Sequence, residues 1–114
     1  MQFWKRAARP GDIVTVTSLA GIRGLQRFAG LSAYAASKHA IVGLTEALAL
    51  EGRHSNIRIN AIAPGAMATS MSAALGLSPQ TSPDAVVPTI EFLLDRKKSA
   101  VITGTTIEIH CNDD

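Results

Sequence analysis

Tyr34 and Lys38 stand four residues apart in the stretch Ser32-Ala-Tyr-Ala-Ala-Ser-Lys38. On a helix that spacing puts both side chains on one face, one turn apart. An ammonium beside a phenol favours the phenolate. A phenol so placed can pass a proton to or from an alcohol or carbonyl near neutral pH. A tyrosine and a lysine on one helix face are also an ordinary surface pair, and the spacing alone does not separate the two readings. Ser18 ends the run Asp12-Ile-Val-Thr-Val-Thr-Ser18, either as a strand-end turn residue or as a hydroxyl presented to a ligand. Pro64-Gly65 closes Asn60-Ala-Ile-Ala-Pro-Gly65, and after a strand such a pair reads as a turn.

These residues need elements to hold them. Phe3 to Arg9 reads as the last turns of a helix, stopped by Pro10-Gly11. Ile13, Val14 and Val16 have the near-continuous apolarity of a strand covered on both faces and paired on both edges. Leu19 to Leu31 is a Gly-rich loop, and Ser32 is a good N-cap for a long helix. The helix is expected to reach about Glu51, with Gly52 as its stop. It would span roughly 28 Å at 1.5 Å per residue. Ile41, Leu44 and Leu48 supply its apolar stripe, while Ala35, Ala36, Ala40 and Ala47 would let it pack closely. Ile57, Ile59 and Ile62 mark a second strand, so strand, helix and strand form a right-handed parallel crossover. Ser82-Pro83-Asp84 looks like a helix start. Pro88 either kinks that helix or begins it, with an end near Leu94. Thr105 to Ile109 is a last short strand.

Composition sets the bounds. A chain of 114 residues is one domain at most, without repeats or a linker. Apolar residues reach 46% and aromatics only 4%, which predicts a folded chain with an aliphatic core. A net charge of +2 is too small to argue for nucleic acid. Lys5, Arg6 and Arg9 read as a solvated helix end, in a segment too short for a transit peptide. No apolar run approaches the roughly 18 residues of a membrane span. The single Cys111 cannot form an intrachain disulfide and fits a reducing, cytoplasmic setting. His110, Cys111, Asp113 and Asp114 match no zinc spacing, so no metal is expected. His39 and His54 receive no role.

Taken together, the strand ending in Ser18, the Tyr34-x-x-x-Lys38 pair, the strand from Ile57, and Pro64-Gly65 with Thr69 beyond resemble the short-chain dehydrogenase/reductase family in order and spacing. The resemblance covers nearly the whole chain but only the second half of that family's usual domain. It implies an α/β fold, a partial Rossmann-like doubly wound parallel sheet of later strands and crossover helices. It makes residues 1–114 the C-terminal portion of a single domain, with the N-terminal cofactor-binding half absent. The family's glycine-rich turn, its Asn-Asn-Ala-Gly strand and the Asn of its catalytic tetrad have no counterpart here. By resemblance, Tyr34 is the general acid or base. Lys38 lowers the Tyr34 pKa and hydrogen-bonds the cofactor ribose, and Ser18 donates to the substrate oxygen. Tyr34 and Lys38, with Pro64, Gly65, Met67 and Thr69, line the nicotinamide side of the cofactor.

Three departures from the family pattern stand out. The loop from Ser18 to Tyr34 is a few residues longer. Met71 to Ser82 is shorter than the usual substrate loop, which predicts an open or small pocket. Ile109-His110-Cys111-Asn112 replaces the common Val-Asp-Gly-Gly ending. The implied reaction is hydride transfer between NAD or NADP, not distinguishable here, and a small alcohol or carbonyl compound. The expected assembly is a homo-oligomer, or association through an exposed strand edge, with neither nucleic acid nor membrane as partner. The alternative is a catalytically silent remnant that acts at most as an association module.

Overall fold

The computed structural model describes residues 10–22 and 29–111. The expected helix end at Phe3–Arg9 lies outside them. The described chain runs β1 (Gly11–Val16), α1 (Ser32–Gly52), β2 (Ile57–Pro64), α2 (Ser70–Ala74), α3 (Val87–Leu94), α4 (Arg96–Ser99) and β3 (Thr106–Ile109). The strands form one parallel sheet in the order β1-β2-β3. Parallel neighbours need a crossover; α1 supplies the first, and the segment from α2 to α4 the second. This is the α/β architecture expected from the sequence.

Register decides which side chains face which helix. Thr15 pairs with Ala61 and Val16 with Ile62. Side chains alternate along a strand, so Thr15, Ala61 and Ala63 share one face. There the Thr15 hydroxyl bonds the Thr45 hydroxyl of α1 at 2.7 Å. On the other face Ile62 packs with Val86 and Leu93, surrounded by Val14, Ile90, Ile102, Ile107 and Ile109. The core is aliphatic, as the composition predicts.

Several details differ from the sequence expectation. The buried residues of α1 are Thr45, Ala49 and Gly52, whereas Leu44 is 52% exposed. Ala36, Ala40 and Ala47 are exposed as well. The close approach is made by small residues: Thr45 bonds Thr15 of β1, and a Cβ on Gly104 would lie 3.2 Å from that of Ala49. Larger residues at those positions would push the layers apart.

Nor is β1 covered on both faces: Ile13 is 37% and Val16 50% exposed. The reason is that α1 lies mainly over β2, and β1 pairs only with β2 among the described residues. Ser32 is the first helical residue rather than the cap; Leu31 takes the cap position without a side-chain bond. Gly52 is not the stop either. It is still helical, and a Cβ there would meet the Ile57 carbonyl oxygen at 3.0 Å. The chain continues through a 3-10 turn, Arg53–Ser55, and reverses at Asn56 with φ 59°. Asparagine adopts that left-handed conformation more readily than most residues.

Of the two proline readings, a helix that begins at Pro88 is the one realised, with no kink. Ser82 caps a 3-10 turn, Pro83–Val86, and Pro88 sits in the first turn of α3. A first-turn residue has no intrahelical N–H bond to lose, so neither proline interrupts a helix. The short α4 was not anticipated; the Asp95 carboxylate caps it by accepting from the Lys97 N–H at 2.9 Å.

The amino ends of the strands are tied by ions. Arg58, on β2, donates to Asp12 of β1 at 2.7 Å and to the Leu93 carbonyl at 3.0 Å. It also donates to the Ser99 and Ile102 carbonyls. Arg96 reaches both Asp12 oxygens at 3.1 Å and the backbone carbonyls of Gly11 and Asn56. Burial alone would raise the Asp12 pKa. Hydrogen bonds from Arg58 and Arg96, with their charges, more than offset this and hold the carboxyl below its ordinary 3.8.

Candidate active site

Three segments converge at the carboxyl ends of β1 and β2. Beyond β1, Thr17 and Ser18 are buried. Thr17 continues the ladder by donating its N–H to the Ile62 carbonyl at 2.9 Å. Its hydroxyl donates to the Lys38 carbonyl of α1 at 2.7 Å. Ser18 caps the 3-10 turn Leu19–Gly21, its Oγ accepting from the Ala20 N–H at 3.1 Å. The oxygen accepts in that bond, so the hydroxyl proton is left to donate. Gly21 makes the docking possible. A Cβ there would lie 2.6 Å from the Lys38 carbonyl oxygen and 2.7 Å from the Thr17 hydroxyl. The exit of β1 is thus pinned to the very turn of α1 that carries Lys38.

Tyr34 and Lys38 occupy the first two turns of α1, both half-buried. The Lys38 ammonium lies 5.5 Å from the centre of the Tyr34 ring, within cation–π reach. The helical spacing therefore produces the pairing that the sequence suggests.

At the exit of β2, Gly65 donates its N–H to the Ile109 carbonyl at 2.7 Å. A Cβ at Gly65 would meet the His110 carbonyl oxygen at 3.0 Å and Leu19 Cδ1 at 3.2 Å. Glycine lets the end of β3 and the Leu19–Gly21 turn close on the same point. Met67 packs on the apolar core. Thr69 has a structural task that the sequence reading missed. Its hydroxyl accepts from the Ser72 N–H at 3.2 Å, while the Ser72 hydroxyl accepts from the Thr69 N–H at 3.0 Å. This reciprocal cap starts α2; a Thr-x-x-Ser signal before an apolar stretch was available to find it.

Ser18, Tyr34, Lys38, Pro64, Gly65, Met67 and Thr69 all line one cavity of about 250 Å³. The structure brings together every residue picked from the sequence. It adds an apolar wall of Leu31, Met71, Leu75 and Leu77 that the sequence reading did not single out. Met71 and Leu75, four apart, were its visible trace. The cavity offers an ammonium, a phenol and a serine hydroxyl beside the Pro64-Gly65-Ala66 backbone. That donor set fits the nicotinamide and ribose end of a dinucleotide, with Lys38 and Tyr34 able to donate to ribose hydroxyls.

Elsewhere, among the described residues, no three His, Cys, Asp or Glu side chains gather as a metal site. Asp113 and Asp114 lie outside those residues. Among them, too, no helix is long and apolar enough to cross a membrane.

The sequence model of the short chain dehydrogenase family matches residues 1–79. A 3-oxoacyl-[acyl-carrier-protein] reductase of Synechocystis sp. is 33% identical over 110 residues, covering 89% of this chain and 43% of that protein. Among solved structures, a putative NAD(P) dependent gluconate 5-dehydrogenase from Beutenbergia cavernae with bound NADP superposes with a TM-score of 0.75. It is 33% identical and covers 90% of this chain and 45% of that one. A 4-hydroxyisoleucine dehydrogenase complexed with NADH gives a TM-score of 0.67 at 35% identity, covering 86% and 44%. The chain thus spans under half the length of these relatives, and the fold it shares with them is of the Rossmann type.

Proposed function

The chain belongs to the short-chain dehydrogenase family, and from that premise we propose that it carries the catalytic half of an oxidoreductase site that interconverts an alcohol and a carbonyl. The observation that carries this reading is the single cavity lined by Ser18, Tyr34 and Lys38 at the carboxyl ends of parallel strands. Open α/β sheets bind ligands at that place. In this reading residues 1–114 are the C-terminal portion of one Rossmann-type domain. A nicotinamide cofactor, NAD or NADP, fits the Pro64–Thr69 side, as its presence in the solved relatives suggests. When bound, it supplies the redox step by accepting a hydride from the alcohol carbon or returning one to the carbonyl carbon.

The chain's own residues manage the proton and the charge. In the oxidative direction the Tyr34 oxygen takes the hydroxyl proton as the carbinol hydrogen leaves with its bonding electrons, and the C–O bond becomes a carbonyl. In reduction Tyr34 returns that proton to the oxygen. Ser18, held by its cap bond to Ala20, donates to the same oxygen and stabilises charge that develops on it. Lys38, 5.5 Å from the centre of the Tyr34 ring, stands beside the phenol where it can donate to a cofactor ribose. A reducing, cytoplasmic setting belongs to the same reading, from the lone Cys111.

The test is oxidation of NADPH or NADH by the purified chain in the presence of a ketone, followed by nicotinamide absorbance, with Tyr34→Phe alongside. Turnover that survives in Tyr34→Phe overturns the reading. The lining residues reach only the nicotinamide and its ribose, so the expected cofactor dissociation constant is no tighter than about 1 mM.

A second reading has its own observation. Among the described residues the edge of β1 away from β2 has no partner, and Val16 is 50% exposed beside it. Such an edge pairs readily with another chain. A chain that sediments as a dimer or larger species at micromolar concentration and shows no Tyr34-dependent turnover would be an association module.

A further inference from the structure

We infer that the substrate is an uncharged, hydrocarbon-rich ketone or secondary alcohol, selected by the wall that α2 and the following turn present to the cavity. This rests on the proposed function and names the substrate class for the same site.

The argument starts from charge. Among the described residues that line the cavity, Lys38 is the only one with an ionised side chain at neutral pH. It belongs to the Tyr34 end, where the reacting oxygen must sit. A substrate that places its oxygen at Ser18 and Tyr34 sends its remaining atoms along Met71, Leu75 and Leu77. Among the described residues that wall has no cation for a phosphate or carboxylate.

Hydrogen bonding gives the same answer. The hydroxyls nearest that wall, Thr69 and Ser72, are engaged with each other's backbone, and Ser72 donates to the Met67 carbonyl at 2.8 Å. A sugar would gain no hydrogen bond from Met71, Leu75 or Leu77 and would cover their apolar surface poorly. An alkyl or ring carbon meets only side chains of its own kind. Met71, Leu75 and Leu77 are exposed on the protein surface although they are large and apolar. Gly76, in the left-handed region at φ 74°, turns the chain between Leu75 and Leu77 so that both reach the same cavity. The cavity of about 250 Å³ must also admit the nicotinamide, so the room left along this wall suits a compact substrate.

The two cavity methionines give a direct probe, since the chain has three in all and Met67 and Met71 line the site. With the methionine methyls labelled by carbon-13, the full chain is titrated with 2-heptanone and with 6-oxoheptanoate. The two share a methyl ketone head and differ at the far end, a methyl against a carboxylate. The expected result is movement of the Met67 and Met71 signals with 2-heptanone, at a concentration at least about tenfold lower than with the keto acid. The reason is that an alkyl end covers the exposed apolar surface of Met71, Leu75 and Leu77, whereas a carboxylate keeps its water and gains nothing from that wall. Leu75→Lys should narrow or reverse the preference. Equal or tighter binding of 6-oxoheptanoate by the unmodified chain overturns the inference, and so does silence of both signals with both ligands. Turnover separates this from the broader reading. Selective binding of 2-heptanone without Tyr34-dependent reduction leaves the apolar ligand class standing and removes the catalytic role. Reduction that prefers the keto acid does the opposite.

Discussion

At the amino ends of β1 and β2, Asp12 joins Arg58 and Arg96, which also hold the carbonyls of Gly11, Asn56, Leu93, Ser99 and Ile102, with side-chain exposures of 16% for Asp12, 7% for Arg58 and 31% for Arg96. At the carboxyl ends of the same strands, Tyr34, Lys38 and Ser18 line a cavity. Polar groups at the first end are neutralised by protein; those at the second are positioned by protein but left to meet a ligand. The backbone beneath is similar in both places, a pair of parallel strands. What differs is whether the next helix arrives with a complementary side chain, as α4 does with Arg96, or with an open turn, as α1 does at Tyr34 and Lys38. The amino end should therefore govern stability, and the carboxyl end should govern binding.

The sharpest way to break that contrast is Tyr34→Phe. Loss of a general acid or base should lower turnover by about 100- to 10,000-fold, with an unchanged melting temperature. A fall in melting temperature would mean that the phenol is structural. At the opposite end, Asp12→Ala leaves Arg58 buried without its counter-charge and should cost about 3–5 kcal/mol in denaturant unfolding. The double variant Asp12→Leu/Arg58→Met removes both charges and should recover part of that loss. Equal losses in the single and double variants would show that the two groups are not coupled.

The same carboxylate gives a pH signature. Its folded pKa lies below its ordinary value of 3.8. Its contribution is thus complete above that ordinary value and disappears as the pH falls through the lower folded one. Asp12→Asn should flatten the stability profile in that acid window. A profile that keeps its slope would assign the acid sensitivity to another group.

Smaller changes sharpen the carboxyl end. Gly21→Ala forces a Cβ against the Lys38 carbonyl and the Thr17 hydroxyl. It should cost about 1–3 kcal/mol, as overpacked sites do, and should separate Ser18 from Tyr34, so turnover falls further than stability. Equal loss of both would make the contact a matter of packing alone. Thr69→Ala removes the cap of α2 and should cost about 1 kcal/mol. If its only effect is on cofactor affinity, the capping role is secondary and the hydroxyl contacts ligand instead.

Tyr34 and Lys38 were legible because helical spacing is a local property: four residues make one turn whatever surrounds the helix. The strands at Ile13–Val16 and Ile57–Ile62 were legible for a similar reason, since runs of branched apolar residues suit a pleated sheet. The sequence could also put Ser18 and Pro64-Gly65 at strand ends, and the family pattern then suggested one site for them all. Other features depended on partners distant along the chain. Arg58 looks like any charged residue in a strand until Asp12, Leu93 and Ser99 close around it. The stripe Ile41, Leu44 and Leu48 satisfies helical periodicity, yet the buried side chains of α1 are Thr45 and Ala49, which meet Thr15 and the Gly104 backbone. Gly52 resembles a stop signal, but the left-handed turn falls at Asn56, where the chain must reverse into β2. Local rules thus fixed the elements and their chemistry. Only packing between elements decided which face is buried, which charges are paired and which polar groups remain open to a ligand.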